Sequence, residues 1–312
     1  MTAGVVLQAA PIGPLADRLL REELGAVRLW DQPPGWLAAQ GASVRLLATS
    51  VRQGCDAAML AALPNLRAVS SWGVGYDTLD VAAAHARGIQ VANTPDVLDD
   101  CVADLAWGLL IATARRIPAA DRHVSAGEWT TLGSFPLATR VSGKRLGILG
   151  LGRIGQAIAR RGEGFAMEVR YHGRRPKDVP YRFEPSLPAL AAWCDMLVVA
   201  CGGGPETHHL VSAEVLAALG PRGILVNIGR GSVVDQQALV AALEGGVIGG
   251  AGLDVLQGEP GAPAALRERD EVVITPHIGS ATIETREAME RLVVDNLLAF
   301  LRDGRVLTPV QA

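Results

Sequence analysis

The sequence predicts an α/β protein of doubly wound parallel sheets, and three observations predict it. Short apolar runs alternate with amphipathic stretches along most of the 312 residues, the pattern of βαβ units whose strands are covered on both faces. The length suggests two domains rather than one. Residues 147–155, GILGLGRIG, set Gly150, Gly152 and Gly155 at the G-x-G-x-x-G spacing, after an apolar run and before a helical pattern. In such a strand-turn-helix unit the first glycine makes a tight turn and the second lets backbone approach a pyrophosphate. The third lets the helix pack on the strand, and the helix N-terminus offers N–H groups to phosphate. The spacing alone also suits a flexible turn in a chain with 36 Gly; the flanking strand and helix favour a dinucleotide.

In order along the chain, apolar runs at 5–7, 44–48 and 68–70 each precede a helical stretch, at 15–24, 57–63 and 79–86. Pro33-Pro34-Gly35 and Gly41 punctuate loops. A boundary comes at Asn93-Thr94-Pro95. Beyond it residues 97–116 read as one long helix, with Asp99, Asp100 and Asp104 early and Arg115-Arg116 late, as the helix dipole prefers, and Pro118 as its stop. Residues 127–143 read as irregular. After the glycine-rich unit, apolar runs at 167–171, 196–201, 224–228, 249–253 and 272–275 complete a second sheet. A last helix over 281–302, capped by Ser280 and Gly304, is long enough to return to the first domain. The expected organisation is therefore discontinuous: residues 1–93 and 282–312 form one domain, and 94–281 form a domain inserted into it.

Composition excludes several classes. With 49% hydrophobic and 20% charged residues the chain is globular, and a net charge of -3 lacks the basic excess of a nucleic-acid binder. The most apolar segment, 105–114, is interrupted by Gly108 and Thr113 and falls far short of the ~20 residues of a membrane span, so it reads as a core helix. No Lys or Arg precedes the first apolar run, which speaks against a cleaved export signal. Cys55, Cys101, Cys194 and Cys201 lie far apart with no C-x-x-C spacing, as expected of reduced, buried thiols in a cytoplasmic protein without a metal site. His208 and His209 are adjacent, so their side chains are expected to point apart; His85, His123 and His172 read as surface or loop residues.

Ligands of open parallel sheets bind outside the carboxyl ends of the strands. Four such ends carry polar groups: Arg230 after ILVNIG, Asp254 after GGAGL with Glu259 beyond, His277 after VVITP, and the backbone of SSWGVGYD from Ser70. An arginine, a carboxylate and a histidine so placed can bind a carboxylate, tune an imidazole and move a proton. Each also has an ordinary reading, as a surface charge, a turn or a loop histidine.

Taken together, GVGYD, ANTP, GILGLGRIG, NIGRGSVVD, AGLDV, EP and TPHIGSAT occur in the order of the D-specific 2-hydroxyacid dehydrogenase family, which the chain resembles from about residue 70 onward; residues 1–67 fit by pattern only. The resemblance implies a Rossmann-type dinucleotide-binding domain inserted into a flavodoxin-like substrate domain. It carries a catalytic triad onto Arg230, Glu259 and His277. Arg230 would hold a 2-oxo acid, since a guanidinium fork suits that planar group, and His277 paired with Glu259 would protonate the carbonyl oxygen as hydride reaches C2. Backbone at Gly73, Val74 and Gly75 would take the other side of the carboxylate, with Trp72 either walling the pocket or anchoring the loop. Asp254 would accept from the nicotinamide carboxamide, and Arg153, Ile154, Ile228, Arg230, His277 and Gly279 would line the cofactor beside the three glycines. The resemblance also implies a homodimer, built on apolar surface of the 97–116 helix (Leu105, Trp107, Leu109, Leu110, Ile111), and domain closure about hinges near 93–95 and 279–280.

An NAD site usually carries an acid at the end of the second strand, to accept from the ribose 2′-OH. Here the strand runs into His172-Gly173-Arg174-Arg175, with no carboxylate in that slot. Two arginines there can bind a 2′-phosphate, so NADP(H) is the expected cofactor and NAD(H) the lesser one; a solvated surface pair is the plain alternative. This departure and the FPLATRVSGKRLGILGLGRIG context resemble the glyoxylate/hydroxypyruvate and hydroxyphenylpyruvate reductase branch, which makes glyoxylate and hydroxypyruvate the expected substrates. A 3-phosphoglycerate dehydrogenase would want further basic groups. A formate dehydrogenase would want an amide at Glu259. A dinucleotide-sensing corepressor shares the fold, but the complete triad gives it no positive support.

Overall fold

The computed structural model describes residues 5–311. The chain divides into two compact units, one taking the chain up to Leu98 and from Ser280 onward, the other Asp99–Gly279. In the first unit β1 (Val5–Gln8), β2 (Val27–Arg28), β3 (Val44–Ser50), β4 (Ala68–Trp72) and β5 (Gln90–Ala92) form a parallel sheet in the order β2-β1-β3-β4-β5, the flavodoxin-like arrangement. Successive side chains serve opposite faces, as strand geometry requires. Leu7, Leu47 and Val69 pack with Leu60, Leu63 and Ala84 on one side. On the other, Val6, Leu46, Ala48 and Ala68 pack with Leu19 and Leu20 of helix Pro14–Leu24 and with Val293, Val294 and Leu297 of helix Ile283–Asp303. The returning helix also contributes the buried Glu290, whose Oε2 accepts the Ala16 N–H (2.9 Å) where Gly13, the N-cap of helix Pro14–Leu24, has no side chain to offer.

In the second unit β6 (Arg145–Leu149), β7 (Glu168–His172), β8 (Arg182–Phe183), β9 (Met196–Val199), β10 (Ile224–Asn227), β11 (Gly250–Leu253) and β12 (Val272–Ile274) form a second parallel sheet, ordered β12-β11-β10-β9-β6-β7-β8. This is the Rossmann order extended by one strand, and it reverses between β6 and β9, where such sheets bind ligands. The strands β9 and β10 are buried throughout, as a sheet covered on both faces demands.

Several sequence expectations need correction. The 97–116 helix runs Asp99–Arg115, and Arg116 at φ 54° breaks it. Pro118 does not stop that helix but opens another, Ile117–Ser125, where a first-turn proline costs no hydrogen bond. The last helix starts at Ile283 and is capped by the Thr282 side chain rather than Ser280, while Gly304 closes it in the left-handed conformation. His208 and His209 do not point apart: their rings stack at 3.8 Å, because His209 lies at φ 55°, outside both helix and strand geometry. His172 ends β7 rather than lying in a loop.

The apolar face of helix Asp99–Arg115 is largely covered, with Leu105 and Ile111 half-buried. Trp107 stacks on Phe165 at 4.4 Å and donates Nε1–H to Ile158 O (3.1 Å), and Leu109 and Leu110 are buried. Exposed apolar side chains lie instead just beyond it, at Ile117, Val124, Trp129, Leu132 and Leu137. Among the described residues no helix is long and apolar enough to cross a membrane, and no group of three or more His, Cys, Asp or Glu could hold a metal ion.

Candidate active site

Strand β6 delivers the chain into Gly150, at φ 97°, where a Cβ would lie 2.7 Å from Cys201 N. Gly152 is the N-cap of helix Arg153–Gly164 and brings no capping side chain. The first intrahelical bond is Gln156 N–H to Gly152 O (3.0 Å), so the N–H groups before it are those a helix leaves to an anion. A Cβ on Gly155 would collide with Gly150 O, so helix and turn touch there as backbone. Ile154 lies in the first turn of the same helix, and Ile228 follows β10 with its N–H on Val199 O (3.1 Å). These residues fit a dinucleotide: an open helix N-terminus, two glycines that no side chain can replace, and a strand-order reversal beside them.

The bend Gly173-Arg174-Arg175 sits next to this turn, because Gly150 N–H donates to His172 O (2.9 Å). The bend is closed by a group the sequence reading missed. The buried Tyr171 phenol accepts Lys177 N–H at 2.7 Å and faces Lys177 O at 3.4 Å, while His172 Nδ1 bonds Glu184 O (2.8 Å). Arg174 and Arg175 are exposed and form no ion pair among the described residues.

Arg230 follows β10 in a turn clasped by another unpredicted residue. The buried Asn227 accepts Gly229 N–H (3.1 Å) and donates to Arg230 O (3.0 Å), while Arg230 Nη1 donates to Gly229 O (2.9 Å). The N-x-G spacing of such an Asx turn is the signal that could have found it. Glu259 and His277, 18 residues apart in sequence, meet at 2.7 Å through Oε2 and Nδ1, and Glu259 Oε1 accepts Leu256 N–H (2.8 Å). The His277 ring remains 42% exposed. Its backbone, at φ 54°, is held by Asp254: His277 N–H reaches Asp254 O (3.0 Å), and the Asp254 carboxylate takes Thr275 Oγ1–H (2.6 Å), Ile278 N–H (2.8 Å) and Gly279 N–H (2.8 Å). Asp254 is only 3% exposed. With Nδ1 engaged by Glu259, Nε2 is the ring nitrogen left for a reacting group.

In the first unit Gly73, at φ 126°, leaves β4 where a Cβ would collide with Val51. Its N–H donates to Thr94 Oγ1 (3.0 Å), so the Gly73 N–H, expected among the donors to the substrate carboxylate, is already engaged. The N–H groups of Val74 and Gly75 have no partner among the described residues, and Asn93 Nδ2 holds Val74 O (2.8 Å). Trp72 packs on the apolar cluster of Val6, Leu20 and Leu297, with the Arg286 guanidinium 4.4 Å over its ring.

Residues 107–279 match the family model of the D-isomer specific 2-hydroxyacid dehydrogenase NAD-binding domain. The chain is 46% identical to the hydroxyphenylpyruvate reductase of Plectranthus scutellarioides, over 99% of this chain and 100% of that one. It is 44% identical to glyoxylate/hydroxypyruvate reductase A of Arabidopsis thaliana, over 98% of each. The crystal structure of the NADPH-dependent glyoxylate/hydroxypyruvate reductase of Sinorhizobium meliloti, in complex with NADP and malonate, superposes with a TM-score of 0.91 at 42% identity, covering 99% of this chain and 97% of that one. The chain therefore belongs to the D-isomer specific 2-hydroxyacid dehydrogenase family and is an oxidoreductase with its nicotinamide-dinucleotide-binding domain in the second unit.

Proposed function

We propose that the protein is an NADPH-preferring reductase of small 2-oxo acids, with glyoxylate and hydroxypyruvate as its substrates. The observation that carries the reading is the Glu259–His277 pair at 2.7 Å on a turn locked by Asp254. When bound, the reduced nicotinamide supplies hydride to the carbonyl carbon. His277 donates the Nε2 proton to the carbonyl oxygen, Glu259 holds the ring, and Arg230 binds the carboxylate. The Gly150–Gly155 turn with the following helix binds pyrophosphate. Arg174 and Arg175 take the 2′-phosphate, a role supported by their exposure beside Gly150.

The unit Asp99–Gly279 is read as the cofactor domain and the remainder as the substrate domain. A twofold homodimer would cover the apolar side chains at Ile117, Val124, Trp129, Leu132 and Leu137, and gel filtration at the 32.7 kDa monomer mass would refute it. The unpaired thiols of Cys55, Cys194 and Cys201 fit a reducing, cytoplasmic setting.

Steady-state rates with glyoxylate, hydroxypyruvate, hydroxyphenylpyruvate and pyruvate, each with NADPH and NADH, test the whole reading. Turnover is expected with the first two and NADPH; inactivity throughout would sink it. Arg174→Asp should lower kcat/KM for NADPH roughly 10- to 100-fold, the worth of a lost charge-assisted bond plus an added repulsion, and leave NADH unimpaired. An unchanged cofactor preference would remove Arg174 from that role.

A further inference from the structure

We propose that His209 and Gln257 form a positioning pair that ties the turn bearing Arg230 to the turn bearing Glu259. His209 stands outside the residues assigned to chemistry, yet its backbone adopts φ 55°, a left-handed conformation uncommon for any residue but glycine and favoured here by its surroundings. Two contacts favour it. Its N–H donates to Ser232 O (2.9 Å) in the short 3-10 turn Gly231–Val233 that directly follows Arg230. Its Nε2 lies 2.6 Å from the Gln257 side-chain amide. Either amide orientation makes this hydrogen bond, with the NH2 group donating to a neutral Nε2 or the oxygen accepting from Nε2–H.

Gln257 in turn lies inside the tight turn closed by Leu256 N–H to Glu259 Oε1 (2.8 Å), the same carboxylate whose other oxygen holds His277. Its own N–H is taken by Gln236 Oε1 (3.0 Å). The His209 ring is fixed from its other edges as well: His208 stacks on it at 3.8 Å, and Nδ1 stands 3.8 Å from Asp235 Oδ2. Asp235 is the N-cap of helix Gln236–Glu244, accepting from Gln237 and Ala238 N–H (3.1 Å each). One residue therefore reads the Arg230 turn with its backbone and the Glu259 turn with its side chain. The ring and the amide fix the separation of the group that binds the acid from the group that aims the proton donor.

The proposal rests on the roles given above to Arg230, Glu259 and His277, and its test separates the two. In the full-length protein, with NADPH and glyoxylate, His209→Leu and Gln257→Leu should each lower kcat roughly tenfold, the scale of one lost hydrogen bond, with KM for NADPH within about twofold of wild type. The double variant should be no slower than either single one, because both delete the same contact. His209→Gly, which relieves the backbone but removes the ring, should stay slow. His209→Asn, which tolerates the left-handed conformation and keeps a hydrogen-bonding group, should recover part of the rate. The 15N resonances of the His277 ring should move in His209→Leu and Gln257→Leu, a readout independent of turnover. A lowered unfolding midpoint with unchanged kcat, rate losses that multiply in the double variant, a full recovery in His209→Gly, or unmoved His277 resonances would each overturn the proposal. A wild type that turned over no 2-oxo acid would instead overturn the reading of the site, leaving the resonances to decide the coupling.

Discussion

Asp254→Asn tests whether the turn carrying His277 is held by a carboxylate or merely lies near one. Both Asp254 oxygens are engaged in a position only 3% exposed: Oδ1 by Thr275 Oγ1–H and Ile278 N–H, Oδ2 by Gly279 N–H. An asparagine keeps one acceptor. If it stays with Thr275 and Ile278, its NH2 group faces Gly279 N–H, donor against donor. One charge-assisted bond, worth about 1.5–3 kcal/mol, is lost and a buried N–H is left unsatisfied, so a destabilisation of about 2–4 kcal/mol is expected. If the turn relaxes to relieve this, His277 moves off Glu259 and kcat falls 10- to 100-fold, equivalent to about 1.4–2.7 kcal/mol of barrier. Chemical unfolding and steady-state kinetics with NADPH and glyoxylate, on the same preparation, give both numbers. A variant with wild-type unfolding and kcat but a raised KM for NADPH would refute the argument and assign Asp254 to the nicotinamide carboxamide alone.

Two further outcomes follow from the geometry. Gly155→Ala places a methyl group on Gly150 O, so the helix must move off the turn; NADPH affinity, followed by fluorescence titration, should fall at least tenfold, and wild-type affinity would contradict the steric claim. Burial pushes the thiols of Cys55 and Cys194 up to about 12 and that of Cys201 to about 11. At pH 8 the reactive thiolate is then roughly one part in a thousand or fewer, so iodoacetamide should leave all three unmodified in the folded protein, by mass spectrometry, and label them once it is unfolded. Rapid labelling of Cys55 or Cys194 in the native state would show that burial does not control them.

The glycine fingerprint and the strand ends are legible in the sequence because each expresses a local constraint. Gly150 and Gly155 answer to backbone within the same strand-turn-helix unit, and Arg230, Asp254 and His277 fall one to three residues past the ends of β10, β11 and β12. What escapes the sequence depends on partners far along the chain. The apolar helix at Asp99–Arg115 reads as surplus surface until Phe165 and Ile158 are found to cover Trp107. Strands β2 and β8, two residues each, are too short to carry a period. The left-handed backbone of Arg116 and His209 leaves no mark in side-chain chemistry, so a helix end and a stacked histidine pair could not be foreseen. Tyr171, whose phenol clasps the turn before Lys177, looks from sequence like an ordinary strand residue, whereas Asn227 carries a local signal in its N-x-G spacing.

The returning helix Ile283–Asp303 has a consequence for biosynthesis. The strands of the first sheet leave the ribosome early, but Val293, Val294 and Leu297, which shield Val6, Leu46, Ala48 and Ala68, are translated only after the whole of Asp99–Gly279. That intervening stretch carries a core of its own. The longer detour adds little to the entropy of closing the chain, which grows only with the logarithm of its length, but it prolongs the interval in which helix Pro14–Leu24 alone covers that face of the parallel sheet. Nascent chains paused before residue 283 thus lack that part of the cover and are expected to self-associate more readily than the finished chain.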